Sequence, residues 1–337
     1  MADLSTTYMG IKLKNPLILG ASNLVTKPEV IKELEDAGIA AIVYKSLFEE
    51  QIQLESLQFD EEINEYANRN SEMIRLFPDI EHAGPTEYLY NLKKLKESCT
   101  VPVFASLNAI YEPSWVEYAK LLEETGIDGL ELNLYSTPGY FEIGGSSIEE
   151  KQYQIVKSVK NAVKIPVSIK LSPFYTNTLN FIKKLDEAGV DGFVMFNRFF
   201  QPEIDIENEV FHFPWELTQS RDHHLALRYV GLLHGNTEAS ICASRGIYTA
   251  EDAIRMILAG ADVVQIVSTI YKNHPAYVST ILSEIHDWMD KKGYKKLESF
   301  RGNLSRKNLK DPFSYQRAQY VDILAKSEEI FKKYPMV

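Results

Sequence analysis

Apolar positions along this chain fall into two alternating patterns. Short, almost continuously apolar runs suit strands buried on both faces. They stand at residues 16–22 (PLILGAS), 39–45 (IAAIVYK), 101–107 (VPVFASL), from 129, 166–171 (PVSIKL), from 192, 240–243 and 262–267. Between most of them, apolar residues recur at helical spacing. A helix is predicted over 27–37, with Thr26 as N-cap and Pro28 near its first position, ending at Gly38. Another opens at Thr249, with Asp252 three residues on in capping-box spacing, and stops at Gly260.

One phrase recurs: EDAGIAAIVYK at 35–45, EETGIDGLELN at 123–133, DEAGVDGFVMFN at 186–197 and LAGADVVQIVS at 258–268. Each is a helix end, a glycine, a short loop and a buried strand. The irregular spacing points to βα units of one closed structure rather than to a solenoid. Eight strands with intervening helices predict a single α/β domain, a (β/α)8 TIM barrel. A small hairpin turning at Gly10 precedes it. The barrel is expected to occupy residues 1–305, with a helical extension over 306–337. Three long insertions, at 48–85, 135–147 and 199–221, follow the carboxyl ends of strands, where they would wall the mouth of the barrel.

Polar residues gather at those same strand ends: Ala21-Ser22, Lys45-Ser46, Asn108, Asn133, Lys170, Asn197, Ser244 and Ser268-Thr269. Polar groups ending apolar strands need partners, because burying them unpaired is costly. The stretch 241–269 reads as strand, Gly246 turn, helix, strand and a second turn at Ser268-Thr269. Two turns with free backbone N–H groups then lie side by side at the corner where such barrels commonly hold phosphate.

Composition narrows the class. A net charge of -11 argues against a nucleic-acid or acidic-membrane partner. Two cysteines, Cys99 and Cys242, lack metal-ligand spacing, so neither a disulfide framework nor a metal site is expected. The amino terminus has no apolar signal core and no run approaches the roughly 18 apolar residues of a membrane helix. A soluble cytoplasmic protein is expected.

The combination of NPLILGAS at 15–22, IVYKS at 42–46, ELNLYSTP at 131–138, IKLSP at 169–173 and RGIYTAEDAIRMILAGADVVQI at 245–266, followed by Ser268-Thr269, resembles the dihydroorotate dehydrogenase family. The ending EIHDWMDKKGYKKLESFRGNLS at 284–305 is similar to the carboxyl-terminal helix and tail of its soluble branch. The resemblance spans roughly residues 8–305 and implies a flavin mononucleotide (FMN) across the barrel top. Its phosphate would lie at Gly246, Ile247, Ser268 and Thr269, and Ala21 and Ser22 would approach the ring. Lys45, Ser46, Asn108, Asn133 and Lys170 would hydrogen-bond to the ring or ribityl chain. A fixed cation such as Lys170 beside the ring stabilises its anionic reduced form. Lys45, Asn133, Asn197 and Arg198 would hold a small planar cyclic substrate. A side chain in the 135–138 loop would take a proton while the flavin accepts hydride. A soluble electron acceptor and a homodimer are implied as well.

The chain departs from the family pattern in places. Around the catalytic base it reads Asn133-Leu134-Tyr135-Ser136-Thr137-Pro138-Gly139, with one extra residue. Thr137 stands where the base belongs, Ser136 is the other candidate, and Gly139 replaces an asparagine. Arg198 stands where a small hydroxyl residue follows the strand-six asparagine. A Gly-Gly turn expected near 217–221 reads LTQSR, and Arg245 replaces the first glycine of the seventh-strand turn. The substrate loop after strand two is not recognisable in 68–78. Alternatives therefore stand beside dihydroorotate oxidation: a flavin reductase for another dihydropyrimidine or enone, a Schiff-base lyase using Lys170 or Lys45, and a barrel that binds FMN without turnover. Phe196, Phe199, Phe200, Phe211, Phe213 and Trp215 are expected to form a packed lid, and His223-His224 a helix start on the surface.

Overall fold

The structure, a computed structural model, describes residues 2–54, 84–134, 136, 141–199, 201–212 and 216–333. Eight parallel strands close a barrel in the order β11-β12-β3-β4-β5-β6-β7-β8. They are β3 (Leu17–Leu19), β4 (Ala41–Phe48), β5 (Val103–Asn108), β6 (Gly129–Leu134), β7 (Val167–Leu171), β8 (Gly192–Met195), β11 (Ser240–Ala243) and β12 (Val263–Ile266). These are the eight predicted runs, with ends moved by a few residues. β4 continues past Lys45 to Phe48, because a register shift between Val43 and Ser46 re-pairs its second half with β5. The helix predicted over 27–37 is α1 (Pro28–Asp36), but Lys27, not Thr26, is its N-cap. The Thr26 hydroxyl instead bonds back to Asn23 O and closes a 3-10 turn. The expected carboxyl-terminal extension carries two helices, α10 (Ala318–Ala325) and α11 (Ser327–Lys333), separated at Lys326.

Side chains alternate between the two faces of each strand. The outward set, such as Leu17, Ile42, Leu107, Leu132, Ile169, Phe193 and Val264, packs in the main core. The inward set changes character along the barrel axis. At the bottom, Ile18, Val43, Phe104, Val194, Cys242 and Val263 meet Tyr8, Met9 and Leu13 of the amino-terminal hairpin. That hairpin is β1 (Thr6–Tyr8) and β2 (Ile11–Leu13), turning at Met9-Gly10 with φ +51° and +77°. It plugs the barrel: a Cβ on Gly192 would stand 3.0 Å from Met9 Cγ and 3.2 Å from the Tyr8 hydroxyl. Ligands can therefore reach the interior only from the carboxyl ends of the strands.

The recurring phrase proves to be a bracing device at the closed end. Glu35, Glu123 and Asp186, each three residues before a turn glycine, accept N–H groups of Thr100 and Val101, of Lys164 and Ile165, and of Glu238 and Ala239. Asp128, Asp191 and Asp262, which precede β6, β8 and β12, accept the N–H of Val103, Val167 and Ile241. Lys96, Lys160 and Arg301 pair with these three carboxylates. Each acid satisfies an N–H that no neighbouring strand reaches.

At the open end, the 199–221 insertion carries an antiparallel hairpin, β9 (Glu203–Asp205) with β10 (Val210–His212), that no sequence pattern announced. The expected aromatic lid is not formed as a unit. Phe196 is buried outside the barrel against Tyr229, their rings 5.1 Å apart, while Phe211 is exposed. Phe199 meets Phe174 edge to face at 5.9 Å, and Phe200, Phe213 and Trp215 lie outside the described residues.

Candidate active site

Above the hydrophobic plug the inward positions become polar. Glu131 on β6, Lys170 on β7 and Gln265 on β12 face one another across the barrel, all buried. Lys170 Nζ donates to Glu131 Oε1 (3.3 Å) and Gln265 Oε1 (3.2 Å), and Gln265 Nε2 donates to Glu131 Oε2 (2.6 Å). Reading strand ends found Lys170 but not its partners. Glu131 lies two residues before the strand-end Asn133, so for it the period-2 alternation was the available signal.

A cavity of about 180 Å3 opens above this triad. It brings together Ala21, Ser22, Lys170, Asn197, Arg198, Gly246, Ile247 and Ser268 from the predicted set, with Glu216, Thr218 and Arg245 in addition. On the other side of the mouth, Ser46 Oγ lies 2.7 Å from Ser106 Oγ and Asn108 Nδ2 donates to Asn133 O (3.2 Å). Lys45 stands at the bulge, partly exposed, and its ammonium has no hydrogen bond or ion pair among the described residues. Ser136 is exposed, whereas Thr137 lies outside the described residues.

The phosphate corner is built by two turns. After β11, Arg245 and Gly246 take φ +76° and +61°, and the capping box at Thr249 then starts α7 (Ala250–Ala259). After β12, α8 (Ser268–Asn273) begins. Thr218 bridges them: its Oγ1 accepts the Gly246 N–H (3.3 Å) and lies 2.7 Å from Ser268 Oγ, which also accepts the Thr218 N–H (3.1 Å). The 217–221 loop, which lacks the expected glycines, thus supplies a hydroxyl at the corner. The Thr269 hydroxyl is committed elsewhere, donating to Tyr248 O (2.9 Å) and accepting from Asn273 Nδ2 (3.1 Å).

Under this turn sits His223, the first residue of α6 (His223–Leu233). It is buried rather than on the surface as expected, with Nδ1 3.2 Å from Gly246 O and 3.8 Å from Asp252 Oδ1. His224 is held below the usual histidine range by burial and by the neighbouring His223 and arginines.

A plugged (β/α)8 barrel with a buried ammonium at its mouth and a cavity reaching the turns after its last two strands has the architecture of a barrel enzyme. The dihydroorotate dehydrogenase family model matches residues 3–289, and the chain belongs to that family. It is 30% identical to the "Dihydroorotate dehydrogenase B (NAD(+)), catalytic subunit" of Thermoplasma volcanium, over 90% of this chain and 98% of that protein. It is 28% identical to the protein of the same name from Methanocaldococcus jannaschii, over 80% and 87%. A "Putative dihydroorotate dehydrogenase A (fumarate)" from Aeropyrum pernix is 25% identical over 90% and 98%.

Membership implies a flavin, and the residues at the mouth fit one. Ser22 Oγ, Asn133 Oδ1 and Arg245 Nε are buried polar atoms without a hydrogen-bond partner, all at the open end of the barrel. A ligand with several acceptors and donors, and an anionic end at the Gly246–Ser268 corner, would satisfy them. Among the described residues no helix is long and apolar enough to cross a membrane.

Proposed function

We propose that this chain is an FMN-dependent oxidoreductase of the CH–CH class that oxidises dihydroorotate to orotate. The observation that carries this reading is the Lys170 ammonium, buried at the centre of the mouth and opening into the cavity that ends at Gly246 and Ser268. The bound FMN supplies a hydride acceptor. Gly246, Ile247, Ser268 and Thr269 surround its phosphate: Ile247, Ser268 and Thr269 offer backbone N–H groups, the Gly246 N–H holds the Thr218 hydroxyl at the corner, and Thr218 and Ser268 add hydroxyls. Ala21 and Ser22 lie against the ring, and Lys170, Asn133, Lys45, Ser46 and Asn108 hydrogen-bond to it or to the ribityl chain. Lys45, Asn133, Asn197 and Arg198 orient the substrate's amide and carboxylate groups. Ser136 or Thr137 removes the proton. A hydroxyl of ordinary pKa is a weak base, so water or a lysine completes the transfer. The protein works as a cytoplasmic homodimer and passes electrons to a soluble acceptor.

A second reading is favoured by the altered 135–139 loop and by Arg198: the same flavin chemistry on a different dihydropyrimidine or enone. Both are tested by the visible spectrum of the purified protein, reconstituted with FMN and followed anaerobically after addition of L-dihydroorotate. Bleaching supports the first reading, and Ser136→Ala and Thr137→Ala then identify the base by which one abolishes it. A yellow protein that does not bleach moves the assignment to the second reading, and one that takes up no FMN overturns both.

A further inference from the structure

Two arginines in the cavity have no counterpart in the family pattern, and Arg245 is placed at a cost. Arg245 takes φ +76°, the left-handed region, which disfavours an L side chain. Its side chain is partly buried, and its Nε is shut off from solvent without a hydrogen-bond partner. Arg198 lines the same cavity, its side chain 23% exposed and paired with Glu216 at 3.6 Å. The two cations sense one another: burial first, and then Arg198, lower the Arg245 pKa, while Asp222 opposes them. That Asp222 carboxylate is engaged by the Gln219 N–H at 2.9 Å. In a chain of net charge -11, two guanidinium groups and the Lys170 ammonium thus line one small cavity. Like charges brought together out of water are stabilised when an anion lies between them.

We propose that Arg198 and Arg245 form a two-guanidinium site for an oxyanion, separate from the backbone cradle at Gly246 and Ser268. The site rests on the flavin reading only for the identity of its ligand: the oxyanion is the cofactor's phosphate or the carboxylate of a planar anionic substrate. Planar guanidinium groups bind either in two-pronged fashion and bring a full positive charge, which backbone N–H groups do not. Arg245 then replaces a glycine because its side chain binds, and the strained turn is the cost of presenting it.

The test uses Arg245→Gly, which relaxes the turn and so leaves a foldable protein, and Arg198→Gln. Flavin-stripped wild type and variants are titrated with FMN, with riboflavin and with orotate, by flavin fluorescence and by thermal shift. A loss of tenfold or more in FMN affinity with riboflavin changed less than twofold assigns the pair to the cofactor's phosphate. A similar loss for orotate with both flavins unchanged assigns it to the substrate. Equal losses for FMN and riboflavin, or no change for any probe in either variant, overturn the proposal. A wild type that binds neither flavin removes the flavin reading but not this site, which then stands if orotate binding depends on both arginines and falls if it does not.

Discussion

The buried Lys170–Glu131–Gln265 triad makes a sharp demand on stability. Glu131→Gln keeps the shape and an acceptor for Gln265 Nε2 but leaves Lys170 facing an amide instead of a carboxylate. At 3.3 Å and an effective dielectric near 20, the lost attraction is about 332/(20 × 3.3), or roughly 5 kcal/mol. Removing one partner of a buried pair costs about 3–5 kcal/mol in general, in agreement. At about 2.1 cal/mol/K per residue, unfolding 337 residues carries roughly 0.7 kcal/mol/K, so the expected fall in melting temperature is about 4–7 °C. Lys170→Met should cost a similar amount by stranding Glu131. The double variant, with neither charge left, should cost less than the sum of the singles by about 3 kcal/mol. Calorimetry of all four flavin-free proteins measures this. A Glu131→Gln protein melting within about 1 °C of wild type, or a double variant equal to the sum, would refute the pairing as a strong interaction.

Gly246→Ala would place a Cβ 2.6 Å from Gln219 O and 2.8 Å from His223 N, both backbone atoms, at φ +61°. It should lower FMN affinity at least tenfold in a fluorescence titration and destabilise the fold by more than about 1 kcal/mol. Asp191→Ala strands the Val167 N–H and the Lys160 ammonium at the closed end, so urea unfolding should show a loss of about 1–3 kcal/mol with flavin affinity unchanged. Cys99 is pushed up to about 11, chiefly by burial and then by Glu35. Its thiolate is disfavoured in the folded state, so its contribution to stability is complete below the unfolded thiol's pKa and declines as pH rises towards 11. With Ellman's reagent at pH 8, Cys99 should react slowly and Cys242, fully buried, only after unfolding.

Much of the barrel was legible because its strands are apolar on the outward face and four of the eight are announced by the same glycine phrase. The capping box at Thr249 and Asp252 and the hairpin turn at Gly10 were equally plain, since local geometry demands those residue types. What escaped the sequence depends on contacts far apart in the chain. Lys27 caps α1 because Thr26 is spent on Asn23, and His223 is buried because α6 tucks under the Gly246 turn. The triad joins residues 131, 170 and 265, on strands that only barrel closure brings face to face. Thr218 sat in a loop read for the glycines it lacks, while its hydroxyl bridges the two phosphate-corner turns.

Stability and chemistry are divided along the barrel axis, and the division gives the departures from the family pattern a direction. The acids that brace the bottom, and the Tyr8–Met9 plug, do not line the cavity at the mouth and hold the closed ends of the strands together. One layer up, Lys170 is fixed by Glu131 and Gln265, so its charge is delivered at one place however the loops above are altered. The departures at Arg198, at 217–221 and at Arg245 all lie above that layer, on the rim. Two of them add cations and one supplies the Thr218 hydroxyl, so the rim has been rebuilt with polar groups rather than stripped of them. A barrel losing function would be expected to fill or neutralise such a cavity, because unpaired buried groups like Arg245 Nε and Asn133 Oδ1 cost stability with nothing to offset it. Their presence argues for a mouth that still takes a polar ligand.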